Sequence, residues 1–344
     1  MVAPLYISEI APPEIRGTLL VLQELSIVTG IVIAFYITYG TRYMAGSMWA
    51  WRLPFLIQII PALVLVAGVW FLPFTPRWLA YKGRDNESLV TLAKIRQLPQ
   101  TDERVQQEWY EIRSEVAYQR ELAEARHPQA HKPGLKNTIY LHFMLYLDCW
   151  KMPIFKRTQV GVGLMFFQQF VGINALIVSC FGDLIQSVGR RLTDCQYYSP
   201  TLFATMGLDY EMQLTMSGVL NCCQVVACIW SLWGMDRFGR RKLLLYGGVC
   251  MFLAHFIIAI LVGKFNGKWT EHKAAGWASV AFLLFYMLSF GATWGPIPWA
   301  MPAEIFPSSL RAKGCAYSTM SNWGNNFIIV RSVYLSMSFP PLNS

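Results

Sequence analysis

The chain has 344 residues, 54% of them hydrophobic and only 14% charged, with a formal net charge of +9. A soluble domain carries about 25% charged residues, so this composition excludes a soluble enzyme or a nucleic-acid-binding domain as the overall plan. Long stretches are nearly free of charge and the charges crowd into short segments between them, the pattern of a protein that crosses a bilayer several times.

In chain order, residues 1–12 form an apolar stretch ending at Ala11-Pro12-Pro13, too short to span a bilayer, which takes about 20 residues; it reads as the tail of a longer helix. Residues 18–40 form the first span and hold one acid, Glu24; residues 53–73 form the second, bounded by Pro54 and Pro73. Residues 75–157 then carry 14 Lys/Arg and 10 Asp/Glu, a water-exposed central loop in which 87–97 and 102–125 read as soluble helices of mixed charge. Spans resume at 159–179, 212–234, 243–263 and 277–301, and a last one begins near Ala316.

Alternate loops are basic. Residues 235–242, with Arg237, Arg240, Arg241 and Lys242, and residues 302–315 join the central loop on the cytoplasmic side, leaving 41–52 and 264–275 outside. The Asn86-Glu87-Ser88 sequon falls in the cytoplasmic loop and is not expected to be glycosylated. The eight cysteines have no metal-site spacing and imply no disulfide framework. No nucleophile elbow, metal cluster or phosphate loop appears, so no enzyme, no metal and no cofactor is expected, and no stacking aromatics interleave with the basic loops to suggest nucleic acid.

Five stretches at span boundaries carry a resemblance: PLYISEIAPPEIRG (4–17), PFTPRWL (73–79), QQFVGIN (168–174), DRFGRR (236–241) and GPIPWAMPAEIFPSSLRAKG (295–314). In this order they resemble the sugar porter family of the major facilitator superfamily, especially its fungal hexose members. The resemblance implies an all-α membrane fold of two helical bundles joined by a helical cytoplasmic loop. It implies three segments: 1–74, the end of the family's helix four with helices five and six; 75–157, the loop; and 158–344, helices seven to ten and part of eleven. Helices one to three, most of four, and twelve have no counterpart. The implied activity is alternating-access transport of a monosaccharide across the plasma membrane, with protons as a further partner. A truncated or mis-spliced product that does not transport, and a sugar sensor on the same fold, are the alternatives.

Intramembrane polar side chains are costly unless they line a cavity or find partners, and amides offer both donors and acceptors to neutral hydroxyls. By resemblance Gln168, Gln169, Asn174, Asn221, Trp299 and Asn326 match sugar-contact positions, and Trp323 offers a further flat face. A lone membrane amide otherwise serves as interhelical glue, and a lone Trp as an interface anchor. Gln168 and Asn174 lie about 600° apart on an ideal helix, so the helix is expected to break near Gly172. Glu24 stands where the family has a sugar-facing glutamine, and could carry a proton or simply bond a neighbouring helix. Glu9, Arg16, Arg77, Asp236, Arg237, Arg240, Arg241, Glu304 and Arg311 match the family's cytoplasmic charge network, whose ion pairs latch one transport state; positive-inside anchoring explains the cations but not Glu9 or Glu304.

Two segments depart from the family. Residues 178–196 interrupt helix seven with Asp183, Arg190, Arg191 and Asp194, and read as a translated short intron or as an extracellular insertion. The tail 330–344 also leaves the pattern, consistent with intron read-through.

Overall fold

A computed structural model describes residues 2–12, 15–44, 46–128, 134–152, 154–172, 209–265, 269 and 271–338. Among these, all regular structure is helical. Asn174, the segment 178–196 and residues 339–344 lie outside the described residues. The helices are α1 (Val2–Ile10), α2 (Arg16–Thr41), α3 (Trp49–Val69), α4 (Pro76–Tyr81), α5 (Asp85–Arg96), α6 (Glu103–Arg126) and α7 (Leu135–Asp148). They continue with α8 (Phe155–Phe170), α9 (Tyr210–Phe238), α10 (Arg240–Phe265), α11 (Lys273–Ala292), α12 (Ile297–Ile305) and α13 (Arg311–Ser338). The tail set apart by sequence therefore begins inside α13.

Five helical segments are long and apolar enough to cross a bilayer: Arg16–Met44, Trp49–Val69, Tyr210–Phe238, Arg240–Phe265 and Lys273–Ile305. Four of them contain the spans predicted at 18–40, 212–234, 243–263 and 277–301, and Trp49–Val69 overlaps the one predicted at 53–73; the spans expected at 159–179 and from Ala316 are not among the five. α3 shows how such a helix looks without its lipid: Ala50 is its one buried residue, and Leu63, Val64 and Leu65 are all more than 60% exposed. A helix that is apolar all round has no water-facing side and suits a span or a helix-packed interior.

The chain divides into two compact units. The first comprises Met1–Leu19, Leu65–Gly163 and Met301–Thr319. Its loop helices begin and end where local chemistry dictates. The Thr75 side chain accepts from Trp78 N at 3.2 Å, with Pro76 at the first helical position of α4. Asp102 caps α6 by accepting from Arg104 N at 3.0 Å. α5 carries Asp85 and Glu87 in its first turn and Lys94 and Arg96 in its last, matching the helix dipole. A small core of Ala80, Leu92, Ala93, Val105 and Ile112 joins α4, α5 and α6. In the same unit Phe306 and Leu310 pack on Cys149 and Ile154, and Gly314 lets the Phe306 ring approach α13 where a Cβ would collide with it.

The second unit comprises Leu20–Val64, Leu164–Ala300 and Met320–Ser344. Its core joins Leu220 of α9, Met251, Ala254 and Ile258 of α10, and Val280, Leu283, Tyr286, Met287 and Phe290 of α11. α2 runs antiparallel to α9: Arg42 pairs with Glu211 at 2.6 Å, Tyr36 Oη meets Cys222 Sγ at 3.7 Å, and Glu24 lies within electrostatic reach of Cys228. α9 and α11 meet closely at Gly291, where a Cβ would stand 2.9 Å from both Gln224 O and Ala227 Cβ.

Candidate functional site

Gln168 and Gln169 lie in the last turn of α8, 4% and 5% exposed. The helix stops at Phe170, and Gly172 takes φ +97°, a conformation that glycine adopts without strain. The carbonyl of Val171, freed there, accepts from Tyr286 Oη at 3.0 Å and lies 3.2 Å from His255 Nε2.

The two glutamines have different surroundings. Gln168 Nε2 donates to Trp294 O at 2.8 Å and to Gly295 O at 3.1 Å, and its Oε1 accepts from Asn322 Nδ2 at 3.0 Å. The cause lies in the sequence Trp294-Gly295-Pro296-Ile297-Pro298, which separates α11 from α12. Pro298 has no N–H to give to Trp294 O, so a buried carbonyl needs another donor. Gln168 supplies it and thereby ties α8 to the α11–α12 break and, through Asn322, to α13. Asn322 is 2% exposed and also donates to Met165 Sδ at 3.3 Å. Asn322 was not among the predicted residues; its signal is the run of polar residues at helical spacing, Ser318, Asn322, Asn325 and Asn326.

Gln169 Oε1, in contrast, is buried without a hydrogen-bond partner. So are Asn221 Nδ2 and Gln224 Oε1 on α9 and Gln23 Oε1 on α2. Asn221 and Gln224 belong to a buried polar stripe along α9, Ser217, Asn221, Gln224, Cys228 and Ser231, whose spacing of three and four residues keeps it on one helix face. Glu24, beside Gln23, is 9% exposed. Trp299 and Asn326 are half-buried, whereas Trp323 is 62% exposed.

The charged positions fall into two groups. In the first unit Arg77 Nη1 pairs with Glu115 Oε2 at 2.9 Å and donates to Ser308 Oγ at 3.1 Å, while the Ser308 hydroxyl bonds Glu115 Oε1. Arg96 makes a two-pronged contact with Glu108, at 2.8 and 2.6 Å, and donates to Ile10 O at 3.0 Å. Arg16, Arg77 and Arg311 lie near enough to repel one another, with Glu9, Glu115 and Glu304 offsetting them. Phe74 stacks on Trp78 with ring centres 4.6 Å apart. Glu108, Glu115 and Arg96 were not among the predicted residues. Their signal was the spacing Val105, Glu108, Ile112, Glu115, which puts two acids on the inward face of α6. In the second unit Arg240 pairs with Asp236 at 3.2 Å, and the Arg237 guanidinium lies 4.6 Å from the centre of the Trp233 ring; Arg241 makes no ion pair among the described residues.

The apolar spans, interrupted by a proline-broken helix, are those of a multi-pass membrane protein. Its fold is that of the major facilitator superfamily: the chain is similar to the proton:xylose symporter XylE bound to 6-bromo-6-deoxy-D-glucose, with TM-score 0.74 and 24% identity, covering 98% of this chain and 60% of that one. The family described as "Sugar (and other) transporter" matches residues 1–180 and 192–337, and the chain belongs to it. Among curated relatives, the sugar transport protein MST4 of Oryza sativa subsp. japonica is 32% identical over 97% of this chain and 56% of its own length. A probable quinate permease of Aspergillus niger is 32% identical over 95% of this chain and 56% of its own length. The high-affinity glucose transporter of Kluyveromyces lactis is 30% identical over 96% of this chain and 56% of its own. The chain thus spans a little over half the length of the curated relatives it matches.

Proposed function

We propose that this chain is the sugar-binding and gating part of a monosaccharide transporter that works by alternating access at the plasma membrane. The observation that carries the reading is a set of buried amide atoms without partners: Gln23 Oε1, Gln169 Oε1, Asn221 Nδ2 and Gln224 Oε1. Each unmet buried polar group costs roughly 1–3 kcal/mol, and several together are explained by a ligand rich in hydroxyls that bonds them. Gln168 acts beside them as the residue that fixes the end of α8. Trp299 and Asn326 complete the proposed contacts, and Asn174 belongs to the proposal by resemblance. The Arg77–Glu115–Ser308 cluster, with Glu9, Arg16, Glu304 and Arg311, serves as the latch, together with Asp236, Arg237, Arg240 and Arg241.

Names of relatives such as glucose transporter and sugar transport protein support a hexose-like substrate. The test is uptake of radiolabelled hexose by the full-length product of the locus in a host lacking its own hexose transporters, with a fluorescent tag reporting its membrane. Absence of uptake of any hexose, pentose or cyclic polyol by a plasma-membrane-localised product refutes the reading. Proton coupling through Glu24 is supported by its burial beside Gln23; Glu24→Gln then abolishes sugar-driven proton entry while leaving sugar exchange intact. The interruption of the family match at 181–191, inside 178–196, supports reading that segment as an insertion relative to the family, and sequencing the transcript decides between a translated intron and an extracellular loop.

A further inference from the structure

α7 does not share the mixed-charge character of α5 and α6. Its sequence is LKNTIYLHFMLYLD, and it leaves Ile139, Tyr140, Phe143 and Leu147 41–61% exposed. At 100° per residue these four side chains, with Lys136 among them, occupy an arc of about 100°. The opposite side is anchored. Leu145, about 180° from Lys136, packs with Cys149, Ile154, Phe306 and Leu310, while Tyr146, at the margin of the strip beside Ile139, meets Tyr317 edge-on at 5.6 Å. The exposed strip continues past the helix through Trp150 and Met152, 46% and 70% exposed.

The charge around this strip has one sign. Between residues 134 and 157 stand Lys136, Lys151, Lys156 and Arg157 against a single acid, Asp148. That acid points inward: its side chain is 5% exposed, bonded to His127 at 2.7 Å and to Lys151 at 2.9 Å. Lys136 and Lys156 are exposed. Sequence also fixes the distance to lipid. Only residues 149–154 separate α7 from α8, where the span expected from hydropathy at 159–179 begins, and six residues reach at most roughly 20 Å.

We propose that α7 is an in-plane membrane helix: its apolar strip enters the cytoplasmic leaflet, and Lys136 and Lys156 hold anionic phospholipid headgroups there. An exposed apolar face that carries Tyr and Trp, has Lys136 at its N-terminal end and Lys156 beyond its C-terminal end, and is free of exposed acid is the chemistry of an interfacial helix. A basic site next to a span gathers acidic lipid from the inner leaflet. The inference requires only that the chain sits in a membrane, not that it moves sugar, so its failure is separate from failure of the transport reading.

The experiment reconstitutes the chain into vesicles of phosphatidylcholine alone, or mixed with phosphatidylserine, each containing a lipid with a photoactivatable diazirine in its acyl chain. Mass spectrometry then locates the adducts. Adducts are expected on Ile139, Phe143 and Leu147, and phosphatidylserine adducts are expected to outnumber phosphatidylcholine adducts there. K136Q/K156Q lowers that preference by up to roughly five-fold for each cation neutralised. A chain labelled along Trp49–Val69 but not along 135–152 overturns the proposal. Equal labelling by both lipids, unchanged in K136Q/K156Q, overturns the assignment of acidic lipid.

Discussion

Gln168 and Gln169 are neighbours with opposite consequences on substitution. Gln168→Leu removes three hydrogen bonds, to Trp294 O, Gly295 O and Asn322 Nδ2. Bonds between membrane helices are worth about 0.6–1.7 kcal/mol each, so the loss comes to about 2–5 kcal/mol. Pro298 makes the loss hard to repair, because no backbone N–H can replace the missing donor to Trp294 O. Asn322→Leu removes one of the three bonds and the weaker contact to Met165, and costs roughly a third as much. Gln169→Leu removes an oxygen that has no partner, leaving stability unchanged or raised by about 1 kcal/mol. Cys149, Cys228 and Cys315 are buried, so a thiol-reactive dye reports unfolding on heating in detergent. The expected order of unfolding temperature is Gln169→Leu at or above wild type, then Asn322→Leu, then Gln168→Leu several degrees lower. Added glucose raises the midpoint of the wild type but not of Gln169→Leu. A Gln168→Leu protein that unfolds with the wild type, or a Gln169→Leu protein that falls as far as Gln168→Leu, refutes the assignment of roles.

Three further outcomes are expected. Gly291→Ala places a Cβ against the backbone of α9 at Gln224 O; overpacking of this kind costs about 1–3 kcal/mol, read in the same thermal assay, and a neutral result contradicts the close crossing. Glu115→Ala removes the partner of Arg77 and Ser308; with both charged groups partly in solvent the cost is about 1 kcal/mol, seen as faster hydrogen exchange across 103–126, and unchanged exchange argues against a latch at this point. Burial alone would raise the Asp148 carboxyl, but hydrogen bonds from His127 and Lys151 outweigh it and hold the group below its usual value. A carboxyl lowered on folding stabilises fully above its unfolded value of about 3.9 and loses that contribution as pH falls through the folded value. The unfolding midpoint is therefore expected to drop more steeply below pH ~4 in the wild type than in Asp148→Asn; equal slopes refute the pairing.

Hydropathy located the five long apolar helices, and the mixed-charge stretches 87–97 and 102–125 anticipated α5 and α6 to within two residues at each end. Gly172 likewise marked the end of α8, because a residue without a Cβ tolerates the turn found there. These features are local: transfer of a side chain into lipid, capping and backbone freedom depend on a residue and its near neighbours. The partners of the polar groups are not local. Gln168 reaches carbonyls 126 and 127 positions away, and Arg77 meets Ser308 across 231. Both glutamines read alike in one dimension, as amides in an apolar run. Tertiary packing alone brought the proline-broken segment against one and left the other unmet, because a hydrogen bond forms only where two chains, however distant in sequence, are held within about 3 Å.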